Sequence, residues 1–333
     1  MTGWLAAAIV PAVVAWLLAG WMRAAPLAAR LADRPNERSL HDVPRRRVGG
    51  LALMLAALPV AAWFADDALR AVLACAALLC ALSVGDDIRS LPALPRLAAH
   101  LAAAAAAVLI LVPSAGWSLA VTLAVVLAIA WMTNLFNFMD GSDGLAGGMA
   151  LIGFVAYAVA ARGTPALALT CAAFASASAG FLAWNLPPAR VFMGDAGSIP
   201  LGYLAGALGL AGFAAGAWPA WFPVVVFGPF IVDASLTFAR RVVRREPFWR
   251  AHRSHAYQRL VLGGWSHRRL AIAGYAAMAG GVATAFLALG AGPMLQCGII
   301  VVWAAVWCGL LLAIEHHLRR TGRRDRASGN PNG

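Results

Sequence analysis

Long apolar segments follow one another along almost the whole chain, and they constrain its fold more than any other feature. About 20 mostly apolar residues are needed for one helix to cross a bilayer. The segments that approach this length are residues 3–21, 48–65, 69–84, 97–111, 119–131, 145–161, 166–184, 199–213, 220–239, 270–289 and 294–312. Only 12% of the residues are charged, against roughly 25% in an average soluble domain. The sequence therefore predicts an all-α polytopic membrane protein with about eleven transmembrane helices, and it excludes a water-soluble globular protein.

The basic residues predict how these helices are oriented. All 26 are arginine, and all except Arg70 and Arg162 lie after odd-numbered segments or in the C-terminal tail. Because Lys and Arg are enriched in cytoplasmic loops, the N-terminus is predicted to be periplasmic and the C-terminus cytoplasmic. Residues 1–20 carry no charge, which is typical of a first spanning helix rather than a signal peptide. The net charge of +12 then reports topology, and no nucleic-acid partner is predicted.

The domain prediction follows from the same distribution. We predict a single transmembrane catalytic domain over residues 1–315 with cytoplasmic active-site loops, and a basic, disordered cytoplasmic tail over residues 316–333. The absence of lysine and the abundance of alanine suggest a GC-rich coding sequence and, with it, a bacterial source. All five cysteines lie inside apolar segments, so they indicate buried thiols rather than a disulfide framework or a zinc site.

The stretch from Asn134 to Gly148 concentrates polar residues between two apolar segments. It carries the amides Asn134 and Asn137 and the carboxylates Asp140 and Asp143. Carboxylates beside a membrane are costly unless they are partnered, so we expect a metal ion, arginines, or both to meet them. Asp140 and Asp143 are three residues apart and would share one face of a helical turn. The glycines that follow indicate a tight turn into a helix whose N-terminus could hold a phosphate.

Two further acidic motifs are predicted on the same side of the membrane. The adjacent Asp86 and Asp87 end an apolar helix, where Mg²⁺ or arginine would relieve their repulsion, or one of them could act as a base. The alternative is an ordinary helix end with solvated acids. Gly194-Asp195-Ala-Gly-Ser198 places one acid in a turn at a helix start, which suits Mg²⁺ held largely by water and substrate phosphates. Asp195 or Ser198 could equally be an N-cap.

Two basic loops complete the set. Arg45-Arg-Arg47 precedes Gly49-Gly50 and indicates either a topology-setting loop on anionic lipid or a phosphate site built from guanidinium and glycine backbone N–H groups. The segment from His252 to Arg259 indicates an anion-binding or nucleotide-binding loop, or an amphipathic helix at the membrane surface. Asp233 is a single acid inside an apolar segment, and it is a functional candidate for that reason.

Together, the motifs between Pro44 and Arg259 resemble those of the polyprenyl-phosphate N-acetylhexosaminyl-1-phosphate transferase family. The most specific matches are Asn137-Phe-Met-Asp-Gly-Ser-Asp143-Gly-Leu-Ala-Gly-Gly and Phe192-Met-Gly-Asp195-Ala-Gly-Ser. The family includes the phospho-N-acetylmuramoyl-pentapeptide transferase of peptidoglycan synthesis and the GlcNAc-1-phosphate transferases that start O-antigen. The resemblance implies a helical membrane fold with a cytoplasmic Mg²⁺ site, with Mn²⁺ as the alternative ion. It also implies transfer of a sugar-1-phosphate from a UDP-sugar to undecaprenyl phosphate, with release of UMP.

The resemblance also implies a role for individual residues. Asp195 is implied to be the principal Mg²⁺ ligand, with Asp143 as a further metal-site residue. Asp86 is implied to deprotonate or position the lipid phosphate, with Asp87 beside it; these two residues and Asp195 form the implied catalytic set. The residues implied to bind the substrates are Asn134, Asn137, Asp140, Asp143, His252, Arg253, His255 and Arg47.

Two departures from the family pattern narrow the predicted substrate. The last loop reads His252-Arg-Ser-His255 rather than the run of adjacent histidines of the peptidoglycan enzyme, and Pro44-Arg-Arg-Arg47 replaces a common Pro-Thr-Pro-Arg. We therefore predict initiation of an O-antigen-like, lipopolysaccharide-type glycan from UDP-GlcNAc or a related UDP-HexNAc. The alternatives are the muramoyl-pentapeptide transferase and an ion-coupled transporter with buried carboxylates. The predicted partners are undecaprenyl phosphate, the UDP-sugar and membrane lipid; the oligomeric state stays open, a homodimer included.

Overall fold

The protein is predominantly helical in the part that the structure, a computed structural model, describes: residues 2–24, 32–33, 45–89, 91–113, 116–246 and 252–327. The helices are α1 (Thr2–Ala24), α2 (Gly49–Phe64), α3 (Asp67–Arg89), α4 (Ala93–Leu111), α5 (Leu119–Phe138), α6 (Leu145–Ala160), α7 (Pro165–Asn185), α8 (Asp195–Ala214), α9 (Trp221–Val226), α10 (Gly228–Val243), α11 (Ala256–Leu262), α12 (His267–Leu289) and α13 (Pro293–Ala327). One antiparallel pair of short strands, β1 (Ala32–Asp33) and β2 (Arg45–Arg46), lies between α1 and α2.

Each apolar segment marked in the sequence is helical, so the all-α prediction is confirmed. Eight of the helices in the described residues are long and apolar enough to cross a membrane, and α2 and α6 are apolar but shorter. The segment 220–239 is divided between α9 and α10 at Phe227, directly before Gly228 and Pro229. Proline lacks a backbone N–H and fits best in the first turn of a helix, where Pro229 lies in α10. The number of eleven spans and the orientation of the termini stay predictions.

Helix α8 is the most buried of the eight candidate spans and lies at the centre of the protein. It packs against α3 and α5, while α7, the next most buried, packs against α1, α2 and α6. Small residues let membrane helices approach closely, and Gly202 of α8 illustrates this, since a Cβ there would lie 2.6 Å from the carbonyl oxygen of Met132 in α5. This packing places the start of α8, with Asp195, beside the C-terminal ends of α3 and α5.

The N-terminus of α2 is held against the loop that precedes α8. The backbone N–H groups of Gly49 and Gly50 donate to the carbonyl oxygens of Phe192 and Met193, each at 2.9 Å. A Cβ on Gly50 would collide with the backbone of Gly197 in the first turn of α8. The interpretation of these two glycine N–H groups as phosphate donors is therefore wrong, because they hold two helix starts together instead.

Substituting Gly50 by alanine is expected to destabilise the protein by about 1–3 kcal/mol, because the added methyl overpacks the contact with Gly197. The matched control is Gly85→Ala in α3, where a Cβ meets nothing within 4 Å. That change should be neutral or stabilise by about 0.5–1 kcal/mol, because alanine replaces glycine within a helix. Thermal unfolding of the two detergent-solubilised variants measures the difference, and equal melting temperatures would contradict the close contact.

Helix α13 continues beyond the apolar segment, as far as Ala327. Residues 316–333 were predicted to form a disordered tail, and this is corrected for 316–327, which are helical. After Pro293 no proline interrupts the helix, and arginine, frequent in this region, is a good helix former. Residues 328–333 lie outside the described residues.

Candidate active site

Two carboxylates from different helices meet at one guanidinium. Asp86 lies in the last turn of α3, and Asp195 is the first residue of α8. Arg96 Nη1 lies 2.7 Å from Asp86 Oδ2 and 3.8 Å from Asp195 Oδ2. Asp86 Oδ1 also accepts a hydrogen bond from the backbone N–H of Leu91, so its side chain is fully held. The Asp195 side chain is 24% exposed against 9% for Asp86, which leaves Asp195 the more accessible carboxylate.

Asn137 orients Asp195. Its Nδ2 donates to Asp195 Oδ1 and to Ser198 Oγ, both at 2.9 Å. Ser198 Oγ in turn donates to the carbonyl oxygen of Gly194, one helical turn earlier. The last turn of α5 is therefore joined to the first turn of α8 through side chains. Both Asn137 and Asp195 were predicted at the site from their motifs, and the structure brings them into direct contact.

Asp140 and Asp143 both contact the loop that leads into α8. Asp140 Oδ2 accepts from the N–H of Gly194 at 3.2 Å, and Asp143 Oδ2 accepts from the N–H of Ala189 at 2.9 Å. The two residues lie in the non-helical segment between α5 and α6, with Asp143 in a turn, which corrects the predicted helical turn. Both carboxylates nevertheless accept hydrogen bonds from the same loop, at Gly194 and Ala189. Asp143 as a metal ligand stays a prediction.

Asn134 contacts a residue that the sequence analysis did not single out. Its Oδ1 lies 3.2 Å from Nδ1 of His100, and its Nδ2 donates to the carbonyl oxygen of Ala130. His100 is buried on α4, one helical turn after Arg96. The sequence did contain a sign of this role for His100. Arg96 and His100 are polar residues four positions apart in an apolar helix, and such residues share one face and rarely point to lipid.

The first basic loop reaches the paired aspartates through Arg47. Its Nη1 lies 3.9 Å from Asp87 Oδ1, and its side chain is 33% exposed. Asp87 itself is largely buried, at 9% side-chain exposure. Arg47 therefore lies where the sequence analysis expected a phosphate-binding arginine, although no contact tests that role.

The histidine loop packs against the C-terminal end of α5. The imidazole of His255 is buried, with its ring centroid 6.0 Å from that of Phe138 and 5.0 Å from that of His252. The hydroxyl of Tyr257 donates to the carbonyl oxygen of Phe138 at 2.9 Å. Burial raises the pKa of Tyr257 well above its usual value, and the negative charges of Asp233 and Asp140 act in the same direction, so the hydroxyl stays protonated and donates. His252 and Arg253 remain partly exposed.

The arrangement thus joins residues from five separate parts of the chain at the arginine-rich end of the helices. Among the described residues, no three His, Cys, Asp or Glu side chains come close enough to form a metal cage on their own. The geometry instead offers partly exposed carboxylates, of which Asp195 lies next to the guanidinium of Arg96 and the amide of Asn137. Such a surface suits anionic substrates that bring further ligands with them.

Comparison with known proteins shows the family of this chain. A family model described as glycosyl transferase family 4 matches residues 69–213, from α3 to α8. The probable undecaprenyl-phosphate N-acetylglucosaminyl 1-phosphate transferase of Bacillus subtilis (strain 168) is 31% identical over 259 residues, which cover 71% of each protein. The chain belongs to the polyprenyl-phosphate N-acetylhexosaminyl-1-phosphate transferase family. The resemblance inferred from the motifs is confirmed.

Other relatives in this family are similar over different lengths. The decaprenyl-phosphate N-acetylglucosaminephosphotransferase of Mycolicibacterium smegmatis is 28% identical over 313 residues, covering 78% of this chain and 76% of that protein. The phospho-N-acetylmuramoyl-pentapeptide-transferase of Geobacillus kaustophilus is 36% identical over 176 residues, covering 48% of this chain and 50% of that protein. Family membership and the apolar helices support a multi-pass membrane transferase, and they do not support the transporter alternative.

Proposed function

We propose that this transferase moves an N-acetylhexosamine-1-phosphate from UDP-GlcNAc or a related UDP-HexNAc to undecaprenyl phosphate, releasing UMP. The reaction would take place at the cytoplasmic face of a bacterial inner membrane and start an O-antigen-like glycan. The observation that carries the proposal is the meeting of Asp86 and Asp195 at Arg96, with Asn137 holding Asp195. The two relatives named for N-acetylglucosamine-phosphate transfer match 71% and 78% of this chain, against 48% for the pentapeptide enzyme, which supports the UDP-HexNAc donor.

The bond changes define what the site must do. An oxygen of the lipid phosphate attacks the phosphorus that carries the sugar. A new phosphorus–oxygen bond forms, the bond to the uridine-bearing phosphate breaks, and UMP leaves with the electron pair. Both reactants are anions and repel one another, so charge compensation and positioning dominate the catalysis. Arg47 and Arg96 supply positive charge on the two sides of the Asp86-Asp87 pair.

Individual roles are proposed from the resemblance of the motifs. Asp86, buried and bound to Arg96, is proposed to position or deprotonate the lipid phosphate, with Asp87 and Arg47 beside it. Asn134, Asn137, Asp140 and Asp143 are proposed to shape the nucleotide site. The partly exposed Arg253 and His252 are proposed to bind the diphosphate.

The residues present fit a magnesium ion, with manganese as the alternative. Mg²⁺ in proteins keeps several waters and is bound by one or two carboxylates together with substrate phosphates. Asp195 fits this pattern, because its carboxylate is partly exposed and Asn137 orients it. Asp143 would be the second ligand, although its Oδ2 already accepts the N–H of Ala189. When bound, the ion would offset the negative charge that accumulates on the phosphates.

A panel of donors tests the proposal. Purified full-length protein is incubated with undecaprenyl phosphate and UDP-GlcNAc, UDP-GalNAc or UDP-muramoyl pentapeptide, and UMP release is measured with Mg²⁺ and with EDTA. We expect Mg²⁺-dependent UMP release from at least one UDP-HexNAc and none with EDTA. Turnover of the pentapeptide donor alone would assign the chain to peptidoglycan synthesis, and no release from any donor would reject the proposal.

A further inference from the structure

Asp233 of α10 is a buried carboxylate that the proposed reaction does not use directly. Its residue exposure is 7%. Oδ1 accepts from the backbone N–H of Ala256 at 2.8 Å, and Oδ2 accepts from the N–H of Tyr257 at 3.1 Å. Oδ1 also accepts from the hydroxyl of Thr237 at 3.2 Å. Burying a carboxylate is costly unless it is hydrogen-bonded, and here the hydrogen bonds to both oxygens offset that cost.

These bonds hold the start of α11. Backbone N–H groups in the first turn of a helix have no partner within the helix, and a side-chain oxygen usually satisfies them from the residue just before it. Here a carboxylate from another helix does so, 23 positions earlier in the chain for Ala256. Nδ1 of His255, the residue that precedes α11, lies 3.6 Å from Asp233 Oδ1. Asp233 therefore sets the place of the loop that carries His252, Arg253 and His255.

A second contact relates this loop to the catalytic carboxylates. Tyr257 donates its hydroxyl to the carbonyl oxygen of Phe138, and the Phe138 ring stacks on His255. The preceding residue, Asn137, donates to Asp195. The last turn of α5 is thus in contact with Asp195 on one side and with the histidine loop on the other. A displacement of the loop would change its position relative to Asp195.

We propose that Asp233 is a positioning residue for the nucleotide-sugar donor, which rests on the proposed function. It holds the loop so that the partly exposed His252 and Arg253 lie within reach of the donor diphosphate. His255, enclosed between Phe138, Tyr257 and Asp233, supports the loop rather than contacting the donor. Asp233 acts through these residues and does not touch the reacting atoms.

The first test replaces Asp233 with asparagine, which keeps the side-chain volume but can accept only one of the two backbone N–H groups. We expect the KM for the UDP-sugar to rise by about tenfold or more, with the KM for undecaprenyl phosphate unchanged within about twofold. Hydrogen exchange in a peptide covering residues 254–262 should become at least about tenfold faster. The matched control is Asp66→Asn. Asp66 also accepts a hydrogen bond from a backbone N–H, that of Leu69, but it lies at the end of α3 opposite to Asp86.

The second test removes one hydroxyl and remains informative if the Asp233 variant does not fold. Tyr257→Phe loses the bond to Phe138, whereas Tyr157→Phe loses an equivalent buried bond to the carbonyl oxygen of Ala205, inside the core. We expect a rise of about fivefold in the donor KM for Tyr257→Phe and less than about twofold for Tyr157→Phe. An unchanged donor KM, an equal rise in both KM values, or unchanged exchange would overturn the inference.

The outcomes also separate this inference from the proposed function. If the wild-type protein releases no UMP, the proposed function is rejected. The role of Asp233 in positioning that donor is then rejected as well. Exchange at residues 254–262 would still show whether Asp233 holds the loop. Active wild-type protein with an unaffected Asp233→Asn variant would reject the positioning role alone.

Discussion

Replacing Asp195 with asparagine is expected to lower Mg²⁺-dependent UMP release by about a thousandfold. The change keeps the size of the side chain and its contact with Asn137 but removes the charge of the accessible carboxylate. A metal ion contributes several kcal/mol of charge stabilisation to phosphoryl transfer, and each 1.4 kcal/mol, roughly, is a factor of ten in rate. The measurement is kcat/KM for the UDP-HexNAc donor at saturating Mg²⁺, together with a Mg²⁺ titration of both proteins.

The control for this prediction is Asp67→Asn. Asp67 is fully exposed at the start of α3, at the end of that helix opposite to Asp86, and its ion pair with Arg70 is a surface contact. Such pairs contribute about 0–1 kcal/mol, so activity should stay within about twofold of wild type. Full activity of Asp195→Asn would sink both the metal assignment and the proposed function.

The sequence predicted the helices well because a membrane constrains them strongly. The hydrocarbon core requires apolar helices of a set length, and the structure has a helix over every apolar segment. The acids were equally visible, since charged residues are rare in this chain and costly near lipid. That Asp86, Asn137 and Asp195 lie together could therefore be expected from the motifs and the arginine distribution.

Pairwise contacts could not be predicted in the same way. An apolar helix carries little information about which neighbour it faces, so nothing indicated that Gly50 meets Gly197 or that Asn134 meets His100. The turn holding Asp140 and Asp143 was predicted as helical because spacing alone does not separate a turn from a helix. Asp233 was identified as unusual, but its partners lie beyond the next loop, and only the fold shows that it holds α11.

Arg96 is the residue whose loss should change the site most without removing a carboxylate. Its guanidinium lies between Asp86 and Asp195, so Arg96→Ala leaves both acids facing each other without their common cation. Truncating one partner of a hydrogen-bonded charge pair costs several kcal/mol when buried, and Arg96 is 35% exposed, so we expect a loss of about a hundredfold in kcat/KM. The kcat/KM of Arg96→Lys should lie between those of the wild type and Arg96→Ala, because a lysine keeps the charge but not the planar guanidinium.

The Mg²⁺ titration distinguishes this role from a general loss of structure. Without Arg96 the electrostatic potential at Asp195 becomes more negative, which favours binding of the cation. The apparent dissociation constant for Mg²⁺ should therefore fall by about threefold, even as turnover decreases. Arg89→Ala is the matched control, since Arg89 is exposed at the C-terminus of α3, three residues beyond Asp86, and should leave both quantities unchanged. If Arg96→Ala kept wild-type turnover, or weakened Mg²⁺ binding, the shared guanidinium would not compensate the two carboxylates, and Asp86 and Asp195 would have to act independently.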